Sequence, residues 1–210
     1  DLTWNGGSSD IIVTKLAQNG QSLVYSSYLG GSDDERGWGI DVEDGYAHLI
    51  GYTESNDFQT QSPIDGTYNG NFDIVMAKVA TDGLSLIYST YYGSSDDEFG
   101  LGIAVENGYA YYCGYTHSSG FPVNDGYDNV FEGYYDGFLL KLSPDGQTSI
   151  YSTFIGGSGS EEIEHIAVSN GKPCVFGSTG SSDYPIVDST SSGTGWVVTM
   201  FSSDGQSLEF

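Results

Sequence analysis

The alternation of apolar and polar positions is clearest in the middle third of the chain. Apolar and β-branched residues fill Ile74 to Val79 and return from Ser85 to Tyr91, and the polar turn Thr81-Asp82-Gly83 separates the two runs. Short runs of this kind, bounded by Asp and Gly, are typical of two strands joined by a tight turn. The pattern therefore predicts an antiparallel hairpin.

A second hairpin is predicted after the polar linker Gly93 to Glu98. Its strands span Gly102 to Glu106 and Tyr109 to Tyr115, on either side of Asn107-Gly108. An Asn-Gly pair suits a type I′ turn, because both residues tolerate positive φ. The equivalent pairs in the neighbouring stretches are Asp44-Gly45 and Asn170-Gly171.

These stretches are copies of one repeat. The copies begin at Asp10, Asp73 and Asp136, 63 residues apart, and a partial copy begins at Gly195. We divide the array, residues 1–210, into repeats at about 10–72, 73–135 and 136–194, with a partial repeat at 195–210. Four antiparallel strands per repeat, with no helix to cover a parallel sheet, indicate an all-β fold and match the blade of a β-propeller.

Composition and charge exclude several classes of partner. The chain has 29 acidic residues against five Lys and Arg, a formal net charge of -24, so nucleic acids and anionic membranes are disfavoured. Metal cations, basic proteins and uncharged glycans remain as partners. The sequence contains no run of 18 apolar residues, so it does not indicate membrane insertion. Because the chain starts at Asp1, we interpret it as a processed or excised segment, and we expect neither a disulfide nor a zinc site at Cys113 and Cys174.

An acidic linker recurs in the repeats and is the candidate metal site. Clustered carboxylates are the ligands that Ca²⁺ prefers, although no copy has the Asp-x-Asp-x-Asp-Gly spacing of a dedicated calcium loop. The alternatives are a solvated acidic turn, or carboxylates that cap backbone amides of the next blade. The candidate ligands are Asp33, Asp34, Glu35, Asp96, Asp97, Glu98, Glu161 and Glu162. No other cofactor is indicated.

Enzyme activity is not expected. The acidic residues recur in register, as structural residues do, whereas a glycosidase needs one pair of carboxylates in a cleft. His48, His117 and His165 occupy different repeat positions, without metal-ligand spacing. Three tryptophans are candidates for a ligand or assembly surface. They are Trp38, which follows the acidic linker and suits stacking on a sugar, and Trp4 and Trp196, which occupy other positions.

Two further side-chain types recur. Equivalent aromatic residues at Tyr25, Tyr88, Tyr151 and Phe210 are expected to fill the space between adjacent blades. The lysines at Lys15, Lys78 and Lys141 also recur, and we expect ion pairs between blades with the equivalents Glu35, Glu98 or Glu161.

The repeat resembles the secreted bacterial and archaeal seven-bladed β-propeller repeat family. The resemblance is carried by YSTYYG at Tyr88 to Gly93, by GIAVENGYAYYCGYT at Gly102 to Thr116, and by the aromatic residues Phe58, Phe121 and Tyr184. It covers nearly the whole chain and implies a β-propeller at an extracellular or cell-surface location. It implies no catalytic residues.

In the phase of that family, a blade runs from its inner to its outer strand, starting at Gly39 or Gly102. The innermost strands, expected to crowd against the axis, are Ile40 to Val42, Ile103 to Val105 and Ile166 to Val168. The chain then holds an outer hairpin, Ile11 to Leu29, two complete blades and a shortened one, about three and a half in all. Closed propellers have at least four blades, so more chain or a partner is needed to complete a ring.

The incomplete ring leads to the expected function. The edge at Asp10 to Leu29 lacks two strands, and strand addition from another copy would cover it and close a ring or extend a filament. We expect a structural or adhesive module that assembles with copies of itself or belongs to a longer propeller. The alternative is a propeller that binds carbohydrate or surface proteins, with acidic loops stabilised by Ca²⁺.

Overall fold

The computed structural model describes residues 4–187 and 193–210, and every regular element in these residues is a β-strand. No described segment forms a helix that is long and apolar enough to cross a membrane. The strands are β1 Ile11–Leu16, β2 Leu23–Leu29, β3 Glu35–Glu43, β4 Tyr46–Thr53, β5 Asp73–Val79, β6 Leu86–Tyr92, β7 Glu98–Glu106, β8 Tyr109–Thr116, β9 Asp136–Leu142, β10 Ser149–Ile155, β11 Glu161–Ser169, β12 Lys172–Thr179 and β13 Gly195–Met200.

Neighbouring strands pair antiparallel in chain order. They form a two-stranded sheet (β1 and β2), two four-stranded sheets (β3 to β6 and β7 to β10) and a three-stranded sheet (β11 to β13). An isolated bridge between Phe201 and Leu208 adds a short fourth row to the last sheet. The predicted outer hairpin, two complete four-stranded units and shortened final unit are therefore confirmed. The described sheets do not close on themselves.

The turns between the first two strands of the three larger sheets have the predicted geometry. Asn107 and Gly108 adopt φ values of 54° and 81°, as a type I′ turn requires. Asp44-Gly45 and Asn170-Gly171 repeat this geometry. The tight turn matches the right-handed twist of its strands, so each hairpin register is set locally.

The first strand of each sheet begins earlier than predicted. β7 starts at Glu98, which was assigned to the linker, because Glu98 pairs with Thr116 at the start of the ladder. A register shift between Gly100 and Gly102 interrupts the strand. This bulge breaks the period-two pattern that sequence reasoning relies on, and β3 and β11 contain equivalent shifts.

The first strands of successive sheets lie next to one another, and in the described residues each has one edge that is not paired in its sheet. A Cβ atom added to Gly39 on β3 would lie 3.0 Å from a methyl carbon of Ile103 on β7, so these strands approach closely. The predicted crowding of the apolar inner residues is wrong for β3. Ile40 and Val42 are 57% and 60% exposed, because β1 and β2 provide no inner strands to cover them.

The core lies between the sheets, on the second and third strands. Met76, Leu139 and Leu140 are fully buried there, together with Ile50 and Tyr112. Burial of each such side chain stabilises the fold by about 1.5–3 kcal/mol. Phe58, Phe121 and Tyr184, which lie after the second strands, are also buried in these clusters.

Three of the four recurring aromatic side chains fill the space between repeats, as predicted, whereas the fourth, Phe210, is exposed. The ring of Tyr88 lies under the turn glycine Gly146 of the next repeat, so that a Cβ atom added to Gly146 would lie within 2.8 Å of three ring carbons. Tyr25 and Tyr151 lie in the same way under Gly83 and Gly205.

A second contact between repeats is made by glutamates at the ends of first strands. Both oxygens of Glu106 accept hydrogen bonds from the turn amides of the next repeat, from Asn170 at 2.9 Å and Gly171 at 2.6 Å. Glu43 binds Asn107 and Gly108 equivalently. These charge-assisted bonds fix one sheet against the next.

Candidate functional site

The three recurring glutamates of the acidic linker are buried structural residues. Glu98 is inaccessible to solvent at the start of β7, where its Oε1 accepts a hydrogen bond from the Thr116 hydroxyl at 2.9 Å. Its Oε2 accepts another from the Ser94 amide at 3.0 Å. Glu35 and Glu161 have the same two kinds of partner. They tie each linker to the strand that follows. The carboxylates cap backbone amides, as one alternative to calcium binding expected, but these amides belong to the preceding linker and not to the next blade.

An aspartate accompanies each of these glutamates, buried at Asp73 and Asp136 and partly buried at Asp10. Asp73, at the start of β5, accepts hydrogen bonds from the Asn69 and Gly70 amides, and a Cβ atom on Gly93 would contact both Asp73 and Glu98. Burial raises the pKa of Glu98 to about 7 and that of Asp73 to about 6. Asp136, which accompanies Glu161, also has a pKa of about 6 because of its burial. The pairs are Asp10 with Glu35, Asp73 with Glu98, and Asp136 with Glu161.

The remaining linker acids do not converge. Asp34 accepts a hydrogen bond from the Ser8 amide, and Asp97 accepts one from the Asn71 side chain at 3.1 Å. The backbone amides of Asp33 and Asp96 donate to serine hydroxyls. In residues 4–187 and 193–210, no three His, Cys, Asp or Glu side chains are grouped so that they could hold a metal ion. Calcium binding at the linkers stays a prediction.

The recurring lysines do not form the expected ion pairs with Glu35, Glu98 or Glu161. Lys78 instead donates to the Pro144 carbonyl in the next repeat at 3.2 Å, and Lys15 donates to the Thr81 carbonyl at 3.4 Å. Glu98 is buried at the start of β7, whereas Lys78 lies near the end of β5, so the two side chains are at opposite ends of the strands and do not meet. The one ion pair among the described residues joins Lys172 and Glu209.

The three tryptophans have different surroundings. Trp38, 57% exposed, lines a cavity along the first strands, whereas Trp4 packs edge-on against Tyr28. Trp196 is 67% exposed and stacks on Phe176, with ring centroids 5.2 Å apart. A ligand or assembly surface at these tryptophans stays a prediction.

An open groove of about 690 Å³ lies along the first strands β3, β7 and β11. Aromatic and apolar side chains line most of it, and Glu162 and Glu164 are its carboxylates. We call it the inner groove. Its lining residues are Trp38, Gly39, Ile40, Tyr52, Phe99, Leu101, Gly102, Ile103, Tyr115, Glu162, Glu164, His165 and Ile166.

A continuous cluster of rings extends from the inner groove. Phe99 stacks on Tyr115 with centroids 4.9 Å apart, and Tyr135 lies 5.1 Å from both Tyr115 and His117. The Tyr135 hydroxyl donates to Glu162 at 3.2 Å. Burial, followed by the nearby Glu162 carboxylate, raises the pKa of Tyr115 to about 12. The tyrosines are thus neutral hydrogen-bonding groups at neutral pH.

Sequence reasoning found Trp38 but missed the other rings of the inner groove. The sequence feature that could have found them is a change of residue type between copies at the same repeat position. Phe99 corresponds to Arg36 and Glu162, and Tyr115 corresponds to Tyr52 and Ser178. The neighbouring Glu and Thr positions are the same in all three copies. Variation beside an invariant structural set is the feature that marks this groove as the candidate site.

Comparison with known proteins identifies no relative. No model of a known protein family matches the chain, and no curated protein matches it.

Proposed function

We propose that the chain is a non-enzymatic, extracellular β-propeller module that assembles with copies of itself through its two exposed ends. The antiparallel sheets, with their first strands side by side, support the propeller assignment, and so does the family resemblance of the repeat. The strongly acidic composition supports a role that does not involve nucleic acids or anionic membranes, because its negative charge repels both.

One observation carries the assembly proposal. Three of the four turn glycines lie over an aromatic ring of the preceding repeat, but no atom lies within 4 Å of the Cβ position of Gly20. The equivalent aromatic residue at the other end, Phe210, is 47% exposed. One end of the molecule thus presents an uncovered receiving turn, and the other presents the ring that fits it.

Two further features at the receiving end agree with this proposal. In the described residues β1 pairs only with β2, so its other edge has free backbone donors and acceptors. A cavity of about 450 Å³ lies beside that edge, between the starts of β1 and β3, and Ile12 and Trp38 line it. Contact between the two ends is heterologous, so copies extend as a filament or close as a ring.

The test is the oligomeric state of the purified chain over a range of concentrations. We expect concentration-dependent oligomers in sedimentation velocity, and polymers or rings in electron micrographs. Phe210→Ala should weaken assembly by at least tenfold, and Gly20→Asn should do the same, because Asn tolerates positive φ but blocks the receiving turn. Leu84→Ala is the matched control, since it removes an exposed apolar side chain elsewhere.

Two results would overturn the proposal. The first is a monomer at every concentration, as expected if these ends are covered by further repeats of a longer chain. The second is assembly that neither Phe210→Ala nor Gly20→Asn weakens relative to Leu84→Ala.

A further inference from the structure

The inner groove combines open aromatic rings with negative charge. It is wide enough for an extended side chain, since its volume of about 690 Å³ falls within the range of ligand-binding clefts. Its lining contains Glu162 and Glu164 but no Lys or Arg. An anionic ligand would meet these carboxylates without a compensating cation, so this class is excluded on electrostatic grounds.

Parts of the lining are not fixed by the repeat. The equivalents of Phe99 in the other copies are the charged residues Arg36 and Glu162, and the equivalent of Tyr115 in the third copy is Ser178. The sheets form in all copies despite these differences. Phe99, Tyr115 and Glu162 are therefore free to serve a ligand.

Tyrosine rings elsewhere in the chain contact lysine ammonium groups. The Lys78 ammonium lies 4.9 Å from the ring centre of Tyr46, and the Lys141 ammonium lies 4.8 Å from the ring centres of both Tyr109 and Tyr111. Such cation–π contacts strengthen when a cation is partly desolvated. Beside the inner groove, the same kind of ring contacts a carboxylate of the lining, because Tyr135 donates to Glu162.

We propose that the inner groove binds an arginine or lysine side chain presented by a basic segment of a partner protein. The rings of Phe99 and Tyr115 contact the cation and its alkyl stem, and Glu162 and Glu164 pair with its charge. Attraction by the net charge of -24 speeds the encounter with such a partner. The residues that contact the cation lie away from the assembly ends, although Trp38 lines both the inner groove and the cavity beside β1.

The decisive experiment compares two short peptides on the wild-type chain. Both have capped ends and one central residue, which is arginine in one peptide and its uncharged analogue citrulline in the other. Titration is followed by NMR chemical shifts and by calorimetry. We expect the arginine peptide to bind at least tenfold more tightly, with shifts concentrated in residues of the inner groove.

Two variants locate the site. Glu162→Gln and Asp82→Asn each remove one negative charge, but Asp82 lies in an exposed turn outside the groove. We expect Glu162→Gln to weaken the arginine peptide fivefold to tenfold, and Asp82→Asn to leave its affinity unchanged. Tyr115→Leu should weaken it as well, while the volume of the side chain is largely kept.

Three outcomes would overturn the inference. They are equal affinities for the arginine and citrulline peptides, equal losses in Glu162→Gln and Asp82→Asn, and groove-centred shifts caused by a neutral oligosaccharide but not by the arginine peptide. The first comparison needs no variant, so it holds even if Tyr115→Leu fails to fold. A monomeric chain that still binds the peptide would remove the assembly proposal alone.

Discussion

The contact between turn glycines and rings of the preceding repeat can be measured with a matched pair of substitutions. Gly20 and Gly146 occupy the same position in the same turn, with φ values of 69° and 70° and equivalent amide hydrogen bonds of 2.8 Å and 2.9 Å. They differ in their neighbours, because only Gly146 lies over a ring. Gly20→Ala and Gly146→Ala therefore share the same backbone strain and differ by one contact between repeats.

The expected magnitudes follow from the structure. Alanine at a positive φ costs about 1 kcal/mol, and both variants should lose this amount. In Gly146→Ala the new methyl group also meets the ring atoms of Tyr88, which is fully buried and whose hydroxyl is 2.8 Å from that of Tyr112. The base of a fixed ring cannot move aside, so overpacking adds about 1–3 kcal/mol.

The assay is urea denaturation of the wild-type chain and both variants at a concentration where the chain is monomeric. We expect Gly146→Ala to lower the free energy of unfolding by about 2–4 kcal/mol and Gly20→Ala by about 1 kcal/mol. Equal losses in the two variants would refute the reasoning, because the ring would then contribute nothing to the interface between repeats.

Two further predictions concern the charged groups. First, the melting temperature should fall between about pH 4 and pH 7, because Glu98, with a pKa raised to about 7, and Asp73 and Asp136, with pKa values raised to about 6, give stability that is lost as pH rises through those values. Buried His48, whose pKa is lowered to about 4, opposes this trend, but it is one group against three. Glu98→Gln should make the melting temperature depend less on pH. A melting temperature that rises with pH would contradict the assignment. Second, Glu106→Ala should lower the free energy of unfolding by about 2–3 kcal/mol, because both turn amides of the next repeat lose charged acceptors. Ser169→Ala, at the same repeat position, should change it by less than about 0.5 kcal/mol, and similar losses in both would show that the amide contacts do not matter.

Most of the fold could be predicted because its information is local. The hairpins at Asp44-Gly45, Asn107-Gly108 and Asn170-Gly171 follow from residues that accept positive φ, and the period of 63 residues fixes how often they recur. The start of the first strands was missed at Glu98, since the bulge and the glycines that follow it hide the strand pattern.

Contacts between repeats were harder to predict. The partner of Lys78 is a backbone carbonyl at Pro144, and a backbone acceptor leaves no mark in the sequence. The inner groove was missed for a related reason. Phe99 and Tyr115 are cross-strand partners in one hairpin, but Tyr52 comes from another sheet and meets Phe99 only when the two sheets pack together.

The repeat itself separates structural residues from candidate functional ones. Glu98 and Thr116 recur in every copy and are buried in the same hydrogen bonds, so their invariance is explained by folding alone. Acidic residues that recur are therefore weak evidence for a site, even when they are numerous. Positions that differ between copies escape this explanation, because each copy folds without them. Residues 99 and 162 are one such position in two copies, and their Phe and Glu meet in the inner groove with Tyr115, whose equivalent in the third copy is Ser178.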